Sequence, residues 1–330
     1  MRNRREFLKD AAAGAVVLGA GTKLAAEGTT AAKSRVVVAK DAALHDANGV
    51  MDEKRVPALL DRAIAAYTGQ SKPLAAWKQI LARGGGEGKV IGLKVNGLGS
   101  KGIATHPALV MAVAERLQQA GIKPGNIIVF DMNTNFLQAC GLTINSGDRS
   151  RMRVIPNDAA EFEAEVACGS SKAHFTKTLT QDCAMVINLP ILKDHSGAGL
   201  TFAMKNMYGV IKHPDLLHGN HCNPGVADLN ALPVVRQKVN FIIGDAMSSV
   251  YDGGPGFRPE RLWYPNTLLV GEDRVAVDYL AWQMIERKRK EAGMKSLEEA
   301  GRAPRYIATA ADAAHKLGTC DPARISVKEV

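Results

Sequence analysis

Residues 107–131 read PALVMAVAERLQQAGIKPGNIIVFD, and the reading of this stretch decides the fold class. Its first part carries apolar side chains at helical spacing, with Pro107 in the first turn and Gly121 at the end, the positions where those residues start and stop a helix. After a short link comes NIIVFD (126–131), a β-branched run closed by an aspartate, the pattern of a buried strand. The alternation continues outward in both directions. RVVVAK (35–40) and KVIGLKVN (89–96) precede it, and CAMVINLP (183–190), NFIIGD (240–245) and NTLLVGED (266–273) follow as strands. VPALLDRAIAAYTG (56–69) and DRVAVDYLAWQMIERKRK (273–290) have the helical pattern. This order predicts an α/β protein with a mostly parallel central sheet flanked by helices. In open sheets of that kind the ligand crevice lies outside the carboxyl ends of the strands.

The chain opens with a different composition. Arg4-Arg5 stands before Phe7, Leu8 and Lys9, and a short Ala/Gly/Val run follows, too short to span a bilayer. Arg-Arg-x-Phe-Leu-Lys resembles a twin-arginine export signal, with Asn3 where Ser or Thr is usual. Residues 1–26 are therefore expected to be a signal peptide, cleaved near Leu24-Ala25-Ala26 or at Thr30-Ala31-Ala32. Residues 27–34 form a linker and 35–330 a single α/β domain. The expected location is the periplasm, the expected first partner is the twin-arginine export machinery, and no stable membrane insertion remains after cleavage.

Charge and cysteine content narrow the function classes. The signal carries +3 of the formal charge of +9, and the remaining bases alternate with acids, as in ERKRKEAGMKSLEEAGR (286–302). An exported chain meets no genomic DNA, so nucleic acid is not an expected partner, while attraction for an anionic small molecule remains. Five cysteines (Cys140, Cys168, Cys183, Cys222, Cys320) are widely spaced with no Cys-x-x-Cys, so the ligand pattern of an iron-sulfur cluster is missing.

Polar residues collect where the predicted strands end: Lys94 and Asn96, Asp131, Asn188 with Lys193 and His195, Asp245, and Asp273. The most specific stretch is LKDHSGAGLTFAMKNMYG (192–209). Lys193 and His195, two apart on an extended exit, point to one side. The glycines admit close approach of a ligand, and Lys205 and Asn206 follow near a helix start. Lysines hold carboxylates or phosphates as point charges, and an imidazole serves as base or metal ligand. Lys193, His195 and Lys205 are the candidate catalytic groups, and Lys94, Asn96, Asn188, Asn206 and Asp245 the candidate ligand-binding groups. Downstream, His213, His218, His221 and Cys222 form a candidate transition-metal set, although their spacing matches no structural zinc motif. GLGSKG (97–102) satisfies Gly-x-Gly-x-x-Gly after a strand, but the helix begins only at Pro107, several residues too late for a dinucleotide fingerprint. No Gly-x-Ser-x-Gly elbow supports a serine hydrolase.

These motifs together resemble the DUF362 family over roughly residues 35–285. The carriers are Lys94-Val95-Asn96, Thr105-His106-Pro107, Asn188-Leu189-Pro190 with Lys193 and His195, Lys205-Asn206 with Gly209, and His218. Asp245, Gly254-Pro255-Gly256, and Asp273 with Val275-Ala276-Val277-Asp278 complete the series. Some relatives carry ferredoxin-like cysteine clusters; this chain departs from them in having none. Its first half is also distantly similar to the α/β domain of lactate-racemase-like proteins. The resemblance implies a fold and a strand-end pocket without fixing a reaction. The expectation is an exported protein that binds, and on one reading transforms, a small anion with or without a metal. The alternatives are a non-catalytic periplasmic accessory protein and a nucleotide-dependent oxidoreductase using Gly97, Gly99 and Gly102.

Overall fold

The computed structural model describes residues 33–100 and 102–330. The twin-arginine stretch, both cleavage positions and most of the predicted linker lie outside the described residues. Strands β1 (Ser34–Lys40), β2 (Ile91–Lys94), β3 (Ile127–Asp131) and β4 (Arg153–Pro156) precede a small separate hairpin, β5 (Val166–Cys168) and β6 (Ser171–Ala173). Then come β7 (Met185–Asn188), β8 (Ile191–His195), β9 (Gly199–Thr201), β10 (Val239–Val250), β11 (Leu262–Trp263), β12 (Thr267–Gly271) and β13 (Ile325–Glu329). The helices are α1 (Val56–Thr68), α2 (Pro73–Leu81), α3 (Pro107–Gln119), α4 (Thr134–Ala139), α5 (Gly225–Ala231), α6 (Pro233–Lys238), α7 (Arg274–Glu291) and α8 (Tyr306–Ala310).

The main sheet has the order β13-β1-β12-β10-β7-β2-β3-β4. Strand β12 is antiparallel to β1 and β10, and every other neighbouring pair on that path is parallel. The expected mostly parallel α/β architecture is what the chain adopts. Both faces are covered, which is why the strands read as continuous apolar runs rather than alternating ones. Successive side chains go to opposite cores: Ile127 and Val129 pack on one side with α1, α2 and α3, while Ile128 and Phe130 face the other with α5, α7 and α8.

Pro107 opens α3 behind an extended His106, where the sequence placed it. Asp273, read from the sequence only as a strand-end polar group, caps α7 by accepting from the Val275 and Ala276 N–H groups at 2.9 Å each. One strand differs from its sequence reading. The run 240–245 predicts a strand ending at Asp245, but β10 continues to Val250, because its far half is paired on one side by β8 and on the other by β11. Asp245 is therefore mid-strand.

Candidate functional site

Strands β2, β3 and β7 lie side by side with Lys94 level with Asn188 and with Phe130. Lys94, Asp131 and Asn188 thus end adjacent parallel strands at the edge where a ligand crevice is expected. Across from them sits the short 3-10 turn Lys205–Val210. Asp278 of α7 holds that turn by accepting the Ala203 N–H at 2.7 Å and the Met204 N–H at 3.1 Å. Burial pushes the Asp278 carboxyl up to about 7, against the pull of those two donors.

A chain of buried side chains links the strand ends to the turn. Lys94 Nζ donates to Asp131 Oδ1 at 2.7 Å, to the Val95 carbonyl at 2.6 Å and to Asn206 Oδ1 at 3.0 Å. Asn96 Nδ2 donates to the same Asn206 oxygen at 3.0 Å, and Asn206 Nδ2 donates to Asn188 Oδ1 at 2.7 Å. Asn188 in turn donates to the Ala203 carbonyl at 2.8 Å. The second Asp131 oxygen accepts the Gly97 N–H at 2.8 Å. Gly209 has to be glycine here: a Cβ on it would sit 2.6 Å from Asp131 Oδ1 and 2.7 Å from Lys94 Nζ.

Lys193 is also enclosed. Its Nζ donates to Asn96 Oδ1 at 2.9 Å, to the Ile103 carbonyl at 3.4 Å and to the Leu98 carbonyl. Burial pushes its pKa down to about 7, with Asp131 opposing, and the three surrounding oxygens favour the ammonium form. Lys94, a candidate ligand-binding group, lines the cavity beside Lys205, and Lys193, a candidate catalytic group, does not. Each ammonium has three acceptors, so both build the floor of the site: Lys193 ties Leu98 and Ile103 to Asn96, and Lys94 ties Asp131 to Asn206. The Gly97–Gly102 loop accordingly turns carbonyls toward Lys193 and toward the Phe257 N–H, which meets Gly99 O at 3.1 Å. A phosphate cradle needs N–H groups facing inward at a helix start.

Lys205 is different. It is 5% exposed, lines a cavity of about 270 Å³, and has no carboxylate partner among the described residues. Its Nζ is 3.2 Å from His218 Nε2 and 4.0 Å from the centre of the Tyr208 ring. His218 Nδ1 lies 2.7 Å from the Pro214 carbonyl and must donate to it, which leaves Nε2 as the acceptor toward Lys205. Burial lowers the pKa of Lys205, and burial followed by the Lys205 charge lowers that of His218. Thr201, 2% exposed, also lines the cavity, and its hydroxyl has no hydrogen-bond partner. Leu98, Met132 and Phe136 supply the apolar wall.

The remaining predicted residues fall outside the cavity lining. His195 Nδ1 accepts the Gly197 and Ala198 N–H groups at 3.0 and 3.1 Å, and burial with the nearby Lys205 charge pushes its pKa down to about 3. It is a neutral imidazole that shapes the β8 turn. Asp245 accepts the backbone N–H and Nδ1–H of His106 at 2.9 and 2.7 Å and meets no lysine. His106 Nε2 lies 3.2 Å from Ser248 Oγ, so these residues follow the hydrogen-bond order of a Ser-His-Asp triad that the sequence did not signal. Ser248 is 3% exposed and lines none of the described cavities.

The four candidate metal ligands are not gathered. His221 donates to the Gly197 carbonyl at 2.8 Å and His213 stacks edge-on against His174, while the buried Cys222 and His218 both meet Lys205. Among the described residues no group of three or more His, Cys, Asp or Glu side chains is placed to hold a metal ion. A larger cavity of about 780 Å³ lies far from this chemistry, between β1, β12 and α7, and contains none of the predicted residues. Sequence reading missed Thr201, Tyr208 and the pairing role of Asp131. Only Asp131 had a signal, as a charged residue closing an apolar strand.

An α/β sheet with a lysine-bearing cavity at its strand ends defines the class. The chain belongs to the DUF362 family, described as a domain of unknown function, which matches residues 91–283. A thylakoid-associated protein of Synechocystis sp. is 30% identical over 110 residues, covering 32% of this chain and 33% of that protein. The chain thus spans about a third of the length of this curated relative. A crystal structure of a Thermotoga maritima protein is 10% identical with a TM-score of 0.46, covering 73% of this chain and 59% of the other.

Proposed function

We propose that the cavity beside Lys205 binds a small anionic molecule, with a carboxylate or phosphate oxygen between Lys205 Nζ and the Thr201 hydroxyl. One observation carries this reading. Of the three buried lysines among the described residues, Lys94 and Lys193 are each surrounded by three oxygen acceptors, whereas Lys205 has no oxygen acceptor there and lines the same cavity as the unpartnered Thr201 hydroxyl. Burying an ammonium without a counter-charge is costly, and an incoming anion removes that cost. At about 270 Å³ the cavity suits a ligand smaller than a drug-sized molecule.

Calorimetric titration with acetate, oxalate, succinate and phosphate tests it. Binding of at least one is expected, and Lys205→Met should weaken it by tenfold or more, about 1.4 kcal/mol. Equal affinity in the variant rejects the site. We also propose export by the twin-arginine route, on the strength of Arg4-Arg5 with Phe7-Leu8-Lys9. Replacing both arginines with lysine should strand the full-length chain in the cytoplasm, and unchanged fractionation would count against export.

A further inference from the structure

We propose that Lys205 is an imine-forming amine and that the ligand is a short 2-oxo carboxylate; this rests on the anion-site reading and goes one chemical step beyond it. The comparison among the three buried lysines singles out the residue. An amine can attack a carbonyl carbon only if its lone pair faces space the substrate can enter. Lys193 lies outside the cavity lining, and Lys94, which also lines it, has its Nζ held by three acceptors including the Asp131 carboxylate; Lys205 lines the cavity with no carboxylate partner among the described residues.

The neighbours of Lys205 suit the chemistry. They are an aromatic face, an imidazole and the buried Cys222 thiol, with no carboxylate partner among the described residues. Burial lowers its pKa, with the Cys222 thiol opposing, and a lowered pKa favours the free amine. The His218 tautomer is fixed by the Pro214 carbonyl so that the Nε2 lone pair points at Nζ from 3.2 Å, the position of a proton acceptor. The unpartnered Thr201 hydroxyl is left to donate to the substrate carboxylate.

The step balances. His218 Nε2 takes a proton from the Lys205 ammonium, and the amine lone pair forms a C–N bond to the ketone carbon as the carbonyl π electrons move to oxygen. A proton passes from the newly bonded, positively charged nitrogen to that oxygen, giving a neutral carbinolamine. His218 then returns a proton to the hydroxyl, the C–O bond breaks with loss of water, and C=N forms. Amine and ketone become imine and water, with no oxidant or reductant required. The protonated imine keeps a positive charge next to the substrate carboxylate, so the attraction that drew the acid in persists through the step.

The test treats the full chain with pyruvate or glyoxylate in the presence of borohydride, then locates reduced adducts by peptide mass mapping. The expected result is a single reduced adduct on the peptide carrying Lys205, absent from Lys205→Arg, which keeps the charge but not the nucleophile. His218→Gln should slow trapping at Lys205 by tenfold or more while leaving the thermal unfolding midpoint near that of the native chain. No adduct at Lys205, or adducts spread over surface lysines and retained in Lys205→Arg, overturns the proposal. Calorimetry without borohydride separates the two readings. Lys205-dependent binding of oxalate with no trapped adduct rejects the imine and keeps the anion site, and no Lys205-dependent binding rejects both.

Discussion

Replacing Asp131 with asparagine should be among the most damaging single substitutions near the cavity. Lys94 is fully buried, and Asp131 supplies the only carboxylate within ion-pair distance of its ammonium among the described residues, at 2.7 Å. Asparagine keeps an oxygen for Lys94 but turns an amide N–H₂ toward the Gly97 N–H that the other carboxylate oxygen accepts at 2.8 Å. The substitution therefore strips a buried charge of its partner and sets donor against donor. Removing one member of a buried pair costs about 3–5 kcal/mol. With an unfolding entropy near 2.1 cal/mol/K per residue, a domain of about 300 residues loses roughly 5–8 °C of thermal midpoint for that cost. Urea unfolding at constant m-value reads the free energy, and calorimetry reads the midpoint. The double variant Lys94→Met/Asp131→Asn removes both charges, so its loss should fall about 2 kcal/mol short of the sum of the singles. A loss under about 1 kcal/mol for Asp131→Asn, or strict additivity in the double variant, would refute the claim that this pair anchors the site.

Three further outcomes are expected. Lys205→Met should raise stability by roughly 0.5–2 kcal/mol while abolishing ligand-dependent thermal shifts, the trade-off of a functional group that the fold alone does not need; a variant both less stable and still binding contradicts it. Gly209→Ala should cost about 1–3 kcal/mol, because its Cβ meets Lys94 Nζ and Asp131 Oδ1 at 2.7 and 2.6 Å, and urea midpoints measure the loss. For His195 the folded pKa is depressed to about 3, so its contribution to stability is present above the unfolded value of about 6.5 and is lost as pH falls toward 3. Within that window stability should drop by up to about 1.4 kcal/mol per pH unit from this group. His195→Gln should be correspondingly less acid-sensitive, and NMR titration of the native imidazole between pH 5 and 8 should show no change of charge.

The layered fold was legible because both faces of the sheet are covered: the runs at 35–40, 126–131 and 183–190 are largely apolar, and Pro107 and Gly121 bound their helix. Strand β13 was not, since ISVKE is mostly exposed at the sheet edge and carries no apolar run. The gathering of Lys94, Asn96, Asn188 and Asn206 followed from the strand-end rule. The division of labour among the lysines did not. Whether an ammonium is enclosed or open depends on the carbonyls of Val95, Leu98 and Ile103, and backbone carbonyls leave no trace in residue type. The His-rich run misled for a related reason. Asn220, His221 and Cys222 have φ of 48°, 55° and 64°, a left-handed turn that sends neighbouring side chains in different directions.

The most direct measurement is a crystal structure of the chain with oxalate. Density for a carboxylate within hydrogen-bond distance of both Lys205 Nζ and Thr201 Oγ1, with Lys94 still paired to Asp131, is the expected result. Oxalate bound to Lys94 or Lys193 instead, or a Thr201 hydroxyl satisfied by the protein itself, contradicts the assignment of this cavity as the site.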